Sequence, residues 1–160
     1  MKKEFGISSL FKIMALAFAI ICLAMFFCPQ LYIAYSNSNE FISFNEVLLG
    51  TDSNFIGVDT KGAIADFVAY LVVIVCGLVP FVLSKVLKDS DTLIKVIDVI
   101  CVVALIAGGI ILLNIRRNYF YANGWNDDSG YHMTFSPIVA GVLSIVSGVA
   151  IGVADFVFDR

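Results

Sequence analysis

The side chains that could carry chemistry in this 160-residue chain are few: one histidine, His132, four cysteines at Cys22, Cys28, Cys76 and Cys101, and 13 acidic residues. A single histidine cannot supply the paired axial ligands of a haem held within one chain. The cysteines form no C-x-x-C pair, so the closely spaced thiols of a quinone-linked thiol oxidase are missing. Three of them fall inside apolar stretches, where cysteine packs as a small apolar residue. Glycine-rich phosphate loops, zinc-ligand spacings and acidic clusters suited to lipid head-group transfer are also missing from the sequence. The expectation is a chain that is not an enzyme and takes no cofactor or metal.

Asp98 is the best candidate for an ionisable group deep in a membrane, because Asp66 and Asp155 lie closer to the ends of their apolar runs. A helix beginning near Asp91 puts it about 10 Å inside, where desolvation makes charge costly and a proton relay would want an acid. The simpler reading is an acid near a helix N-terminus that pairs with Lys95, Lys85 or Lys88. Asp66 suits the N-terminus of its helix, whereas Asp155 opposes a C-terminal dipole and is expected to lean on Lys12 or Arg160.

The elements that must position these groups follow from composition. With 60% hydrophobic and 14% charged residues the chain needs lipid as its solvent, and a net charge of −3 gives no basic face for nucleic acid. Four uncharged apolar stretches each come close to the roughly 20 residues that cross a bilayer. They define one four-helix membrane domain over residues 1–160, with helices at about 7–28, 62–84, 91–115 and 135–156. The first could be a secretory signal, but bulky Met25-Phe26-Phe27-Cys28-Pro29 offers no cleavage site, so it is read as an anchor.

Basic residues are retained on the cytoplasmic side. Lys2, Lys3, Lys12, Lys85, Lys88, Lys95 and Arg160 fall on the side of the termini, against Lys61, Arg116 and Arg117 on the other, so both termini are expected inside. The outer loops are then 29–61 and 116–133. Leu31, Ile33 and Tyr35 alternate, Phe41 to Leu49 is rich in strand formers, and Tyr119-Phe120-Tyr121 leads into Asn123-Gly124, a hairpin dipeptide. These features predict a small extracellular antiparallel β cap on an all-α integral membrane protein with a four-transmembrane-helix bundle.

This layout resembles the claudin-like tetraspan superfamily, with four helices, termini inside, and a long first and shorter second outer loop joined in a sheet. Claudins carry a Trp, a Gly-Leu-Trp and two disulfide-forming cysteines in the first loop. Here that loop has no Trp and no Cys beyond the membrane-edge Cys28, so barrier and pore functions are not carried over and no residue role is transferred.

Within the bundle, Ala140, Ser144, Gly148 and Gly152 recur every fourth residue and make one flat helix face. It is expected to take another helix of the same chain, with Gly108-Gly109 as a mate, or else a dimer or foreign partner. Pro80 beside Gly77 predicts a kink, and Ser136-Pro137 reads as an N-cap and first helical position. Outside, Arg116 and Arg117 run against the charge rule, so Glu40, Glu46, Asp52 and Asp59 are their expected partners, with anionic head groups as the alternative. Tyr119, Tyr121, Trp125 and Tyr131 then form either a contact surface or an interfacial belt.

The reading is a non-enzymatic accessory or interaction subunit that works through its outer cap or its small-residue helix face. Its expected partners are the lipid bilayer and a membrane protein or a second copy, with no nucleic acid. The alternatives are an immunity protein against a membrane-active toxin and a small transporter or channel using Asp98. No N-x-[ST] sequon and no outer cysteine pair occur, which favours a bacterial plasma membrane.

Overall fold

The computed structural model describes residues 7–35, 38–51, 60–86, 91–126 and 130–158. Four long helices, α1 (Ile7–Phe26), α2 (Ile64–Val86), α3 (Asp91–Leu112) and α5 (Phe135–Val153), run antiparallel to their neighbours; α4 (Ile115–Asn123) is a short helix between α3 and α5. Each long helix packs on two others, closing a ring in the order α1, α2, α3, α5. Among the described residues, four segments are long and apolar enough to cross a membrane, Ser9–Phe26, Ile64–Val86, Thr92–Leu112 and Phe135–Val157, which fits a tetraspan layout.

These helices are apolar on every side, so packing alone does not use up their hydrophobic surface. Ile20, Val75, Ile100, Val103 and Val149 all point out of the bundle and are more than half exposed. Small residues let the seams close. A Cβ on Gly109 would lie 2.6 Å from the Gly141 carbonyl oxygen, so α3 and α5 touch backbone to backbone there. Pro80 is accommodated inside α2, which continues to Val86.

The ends of α1 and α3 and the starts of α2 and α5 share one end of the bundle, and the polar connections gather there as a cap. Its sheet has β1 (Leu31–Ala34) in the centre, flanked by antiparallel β2 (Asn39–Ile42) and β5 (Tyr131–Met133). The register pairs Leu31 with Ile42 and Met133, and Tyr32 with Phe41 and His132. Alternation therefore sends Leu31 and Ile33 into the core and lines Phe41, Tyr32 and His132 across the opposite face. A second, two-stranded sheet pairs β3 (Gly50–Thr51) with β4 (Thr60–Lys61).

Several expectations need correction. The stretch Phe41 to Leu49 is only partly strand, because Asn45–Leu49 forms a π-helical turn that buries Val47 and Leu48. The third long helix stops at Leu112, not near 115. Asn114 bonds back through its side chain to the Ile110 carbonyl and starts α4 instead. Tyr119-Phe120-Tyr121 is helical, and Asn123-Gly124 is no hairpin turn. Gly124 (φ 67°) ends α4 in a Schellman arrangement, with the Trp125 N–H donating to the Phe120 carbonyl at 3.1 Å. Both structures need a left-handed glycine, which is why the dipeptide alone misleads. The N-cap of α5 is Thr134, whose hydroxyl accepts from the Ser136 N–H, and Ser136 and Pro137 already lie within the helix.

Candidate functional site

In the cap, α4 is amphipathic. Ile115, Tyr119 and Phe120 are buried against the bundle and the sheets, while Arg117 and Tyr121, one turn apart, face out. The Arg117 guanidinium lies 5.3 Å from the Tyr121 ring centre and donates to its hydroxyl at 3.1 Å. The glycine cap turns the chain back so that Trp125 packs edge-on to Tyr119 and Phe120, at 5.9 and 6.0 Å between ring centres, and lies 6.1 Å from Tyr131. Arg117, Phe120, Tyr121, Trp125 and Asn126 enclose an open cleft of about 310 Å³.

The residues expected to form one outer contact surface divide into two groups. Arg117 and Tyr121 are exposed, and Trp125 is half-buried at the cleft wall. Tyr119 and Tyr131, by contrast, are almost fully buried and belong to the cap core, since on α4 Tyr119 falls on the face opposite Tyr121. Burial pushes the Tyr119 phenol up, and pushes Tyr131 up to about 12 with help from neighbouring Tyr119, Tyr35 and Glu46. Arg116 is half-buried. Of its expected partners, Asp52 and Asp59 lie outside the described residues.

The two outer connections are joined by a group that sequence reasoning missed. The Asn123 side chain accepts from the Lys61 N–H at 2.7 Å and donates to the Lys61 carbonyl at 3.0 Å, as a strand neighbour would. Asn118 donates to Asp66 at 3.0 Å, tying α4 to the first turn of α2. Gln30 was also unforeseen. Fully buried, it donates to the carbonyls of Met25, Phe26 and Cys28 at the end of α1 and accepts from the Tyr70 hydroxyl. The exposed sheet face adds a second aromatic surface, in which Tyr32 stacks on His132 at 5.2 Å and lies 6.0 Å from Phe41.

The small-residue face of α5 is occupied within the chain. Ala140 and Ser144 are buried, with the Ala140 carbonyl accepting from the Cys22 thiol of α1 and the Ser144 hydroxyl donating to the Leu105 carbonyl of α3. Gly148 faces Val102 and Ile106, and a Cβ on Gly152 would lie 3.9 Å from Val102. Gly109 meets Gly141, beside that stripe, while Gly108 turns to Val73 on α2.

Asp98 is fully buried. Lys85 lies over Phe81, Lys95 is exposed, and Lys88 lies outside the described residues. Lys12 of α1 reaches across the ring to donate to Asp98 at 2.7 Å, and the same ammonium stands 3.2 Å from Asp155. Arg160, the other partner considered for Asp155, lies outside the described residues. Sequence separation hid the Lys12–Asp98 pair, since only the closed helix ring brings residues 86 positions apart together. The thiols of Cys76 on α2 and Cys101 on α3 also interact across their seam.

Fold and site together define a class: a four-helix bundle of membrane-spanning length under a small aromatic β cap with an open cleft. No protein-family model matches the chain, and none of the curated proteins compared with it is a match.

Proposed function

We propose that this protein is a multi-pass integral membrane protein, not an enzyme, that serves as an accessory or interaction subunit through the cleft of its cap. The observation that carries this reading is the contrast between its two expected contact surfaces. The flat face of α5 is consumed by α1 and α3, while the cleft beside Arg117, Tyr121 and Trp125 is open. Aromatic walls with one guanidinium at the rim suit an apolar or aromatic anchor residue beside a carboxylate on a partner membrane protein or a second copy.

The apolar residues that ring the outside of the bundle support lipid as the surrounding solvent. The distribution of lysine and arginine supports cytoplasmic termini and an extracellular cap in a plasma membrane, with the missing sequon favouring a bacterial one. A claudin-like arrangement of loops over helices is part of the same proposal, as a likeness of layout alone. Gentle crosslinking before detergent extraction tests the reading. A discrete complex is expected, and Arg117→Ala combined with Tyr121→Ala should abolish it. A chain that is always recovered as a lone monomer contradicts the proposal.

A second reading, a small transporter, is favoured by the burial of Asp98 among three helices. Proton-dependent solute uptake abolished by Asp98→Asn would support it. An immunity role would appear as toxin sensitivity on deletion.

A further inference from the structure

We infer that Cys76 and Cys101 are a redox pair inside the bundle, which closes a disulfide between α2 and α3 when a lipid-soluble oxidant of the quinone class reaches it. The inference goes beyond the accessory role. It shares only the membrane setting proposed above, which flotation of the chain with lipid checks separately.

The seam between α2 and α3 sets the geometry. A Cβ on Gly108 of α3 would lie 2.7 Å from the Val73 side chain and 3.5 Å from the Ala69 carbonyl oxygen of α2, so Gly108 nests between those two residues. Two turns along this antiparallel seam, seven residues on each helix, the same register sets Cys101 between Cys76 and Pro80. Cys76 continues the α2 stripe of Ala69 and Val73, and Cys101 the α3 stripe of Leu105 and Gly108. Both thiols are reduced, and they hydrogen-bond to each other.

The backbones can meet what a disulfide demands. Packed helix axes about 8–10 Å apart bring facing Cα atoms to roughly 4–6 Å, within the span of that bond. Pro80 adds slack, since it has no N–H to donate to the Cys76 carbonyl. The other two thiols are engaged elsewhere. Cys22 donates to the Ala140 carbonyl of α5, and Cys28 to the Ala24 carbonyl of α1.

Location selects the oxidant. Both residues lie near the middle of helices of membrane-spanning length, and Cys76 is half-buried beside outward-facing Val75, so an oxidant arrives through lipid. One sulfur adds to the quinone, and its proton passes to a quinone oxygen. The second sulfur then displaces the quinol from the first, and its proton leaves with the quinol. Two thiols and a quinone become one disulfide and one quinol. The disulfide carries no charge, so hydrocarbon tolerates it as readily as the thiols.

Thiol counting on the full chain in lipid nanodiscs tests the pair, with a short-chain benzoquinone as the probe and alkylation after denaturation as the readout. Alkylatable thiols should fall from four to two and return on reduction with dithiothreitol. Tryptic cleavage at Lys85, Lys88 or Lys95 should leave the fragments carrying Cys76 and Cys101 joined until reduction. Oxidised glutathione, which stays in water, should leave all four thiols free, and Cys101→Ser should hold the count at three with or without quinone. Four free thiols after quinone treatment of the unmutated chain overturn the inference, as does a bond that includes Cys22 or Cys28. A quinone adduct on Cys76 that never passes to Cys101, or equal loss of thiols with oxidised glutathione, also overturns it.

Discussion

The hydroxyl of Tyr70 on α2 donates at 2.8 Å to the side-chain oxygen of Gln30, whose amide nitrogen in turn caps the end of α1. Gln30 also holds the sheet and α5 through its backbone. Its N–H donates to the Ile42 carbonyl, and its carbonyl accepts from the Thr134 N–H. One buried amide thus joins two helices at the floor of the cap. Gln30→Ala leaves buried carbonyls and a phenol without partners, so it should cost on the order of 3 kcal/mol. Tyr70→Phe removes a single bond and should cost about 1 kcal/mol. Equilibrium unfolding in mixed detergent measures both, and equal losses would argue against Gln30 as the shared cap.

The glycines of the α3–α5 seam separate close approach from open space. Gly109→Ala places a Cβ against the Gly141 carbonyl and should destabilise by about 1–3 kcal/mol through overpacking. Gly152→Ala, whose Cβ meets only Val102 at ordinary contact distance, should be neutral or slightly stabilising. The two unfolding midpoints should therefore move apart, and a larger loss at Gly152 would contradict this packing.

Asn123 clamps α4 to the edge at Lys61, so Asn123→Ala should raise protease cleavage within 50–61 several-fold while leaving the bundle intact. Three side-chain bonds at about 1 kcal/mol each give this local effect its scale. Digestion timed against the parent chain is the check, and unchanged cleavage would locate the clamp elsewhere. Replacing Arg116 and Arg117 together by Ala in the same assay compares an arginine clasp with the asparagine one.

Alkaline pH should loosen the cap from its aromatic core. Burial raises Tyr131 to about 12 and also raises Tyr119, so the folded cap holds these protons more tightly than the unfolded chain. The associated stability is fully present below the ordinary tyrosine value near 10 and is lost as pH climbs towards about 12. Phenolate absorbance should rise together with Trp125 fluorescence changes over that window, and Tyr131→Phe should remove its share. Ionisation of all tyrosines near 10 would show that the cluster is open to water.

The four long helices were legible because an uncharged apolar run of bilayer length has few alternative structures. The cap was legible only in outline. Leu31 and Ile33 announced β1 by alternation, but α4 hid behind aromatic residues with strand preference and an Asn-Gly pair that serves helix ends as well as hairpins. Its signal was the spacing of Ile115 and Tyr119 on one face and Arg117 and Tyr121 on the other, a period of four rather than two. Gln30 and the Lys12–Asp98 pair were not readable at all, because long-range polar partners are set by tertiary closure and not by local pattern.

The central claim is that this membrane bundle meets a protein partner at its cap cleft, and a photo-crosslinking side chain placed at position 121 in living cells tests it most directly. The account predicts one discrete protein adduct, lost when Arg117 is also changed to Ala and absent when the probe replaces outward-facing Ile100 of α3. Adducts to lipid alone at position 121, or a protein adduct as strong at Ile100 as at the cleft, would contradict it.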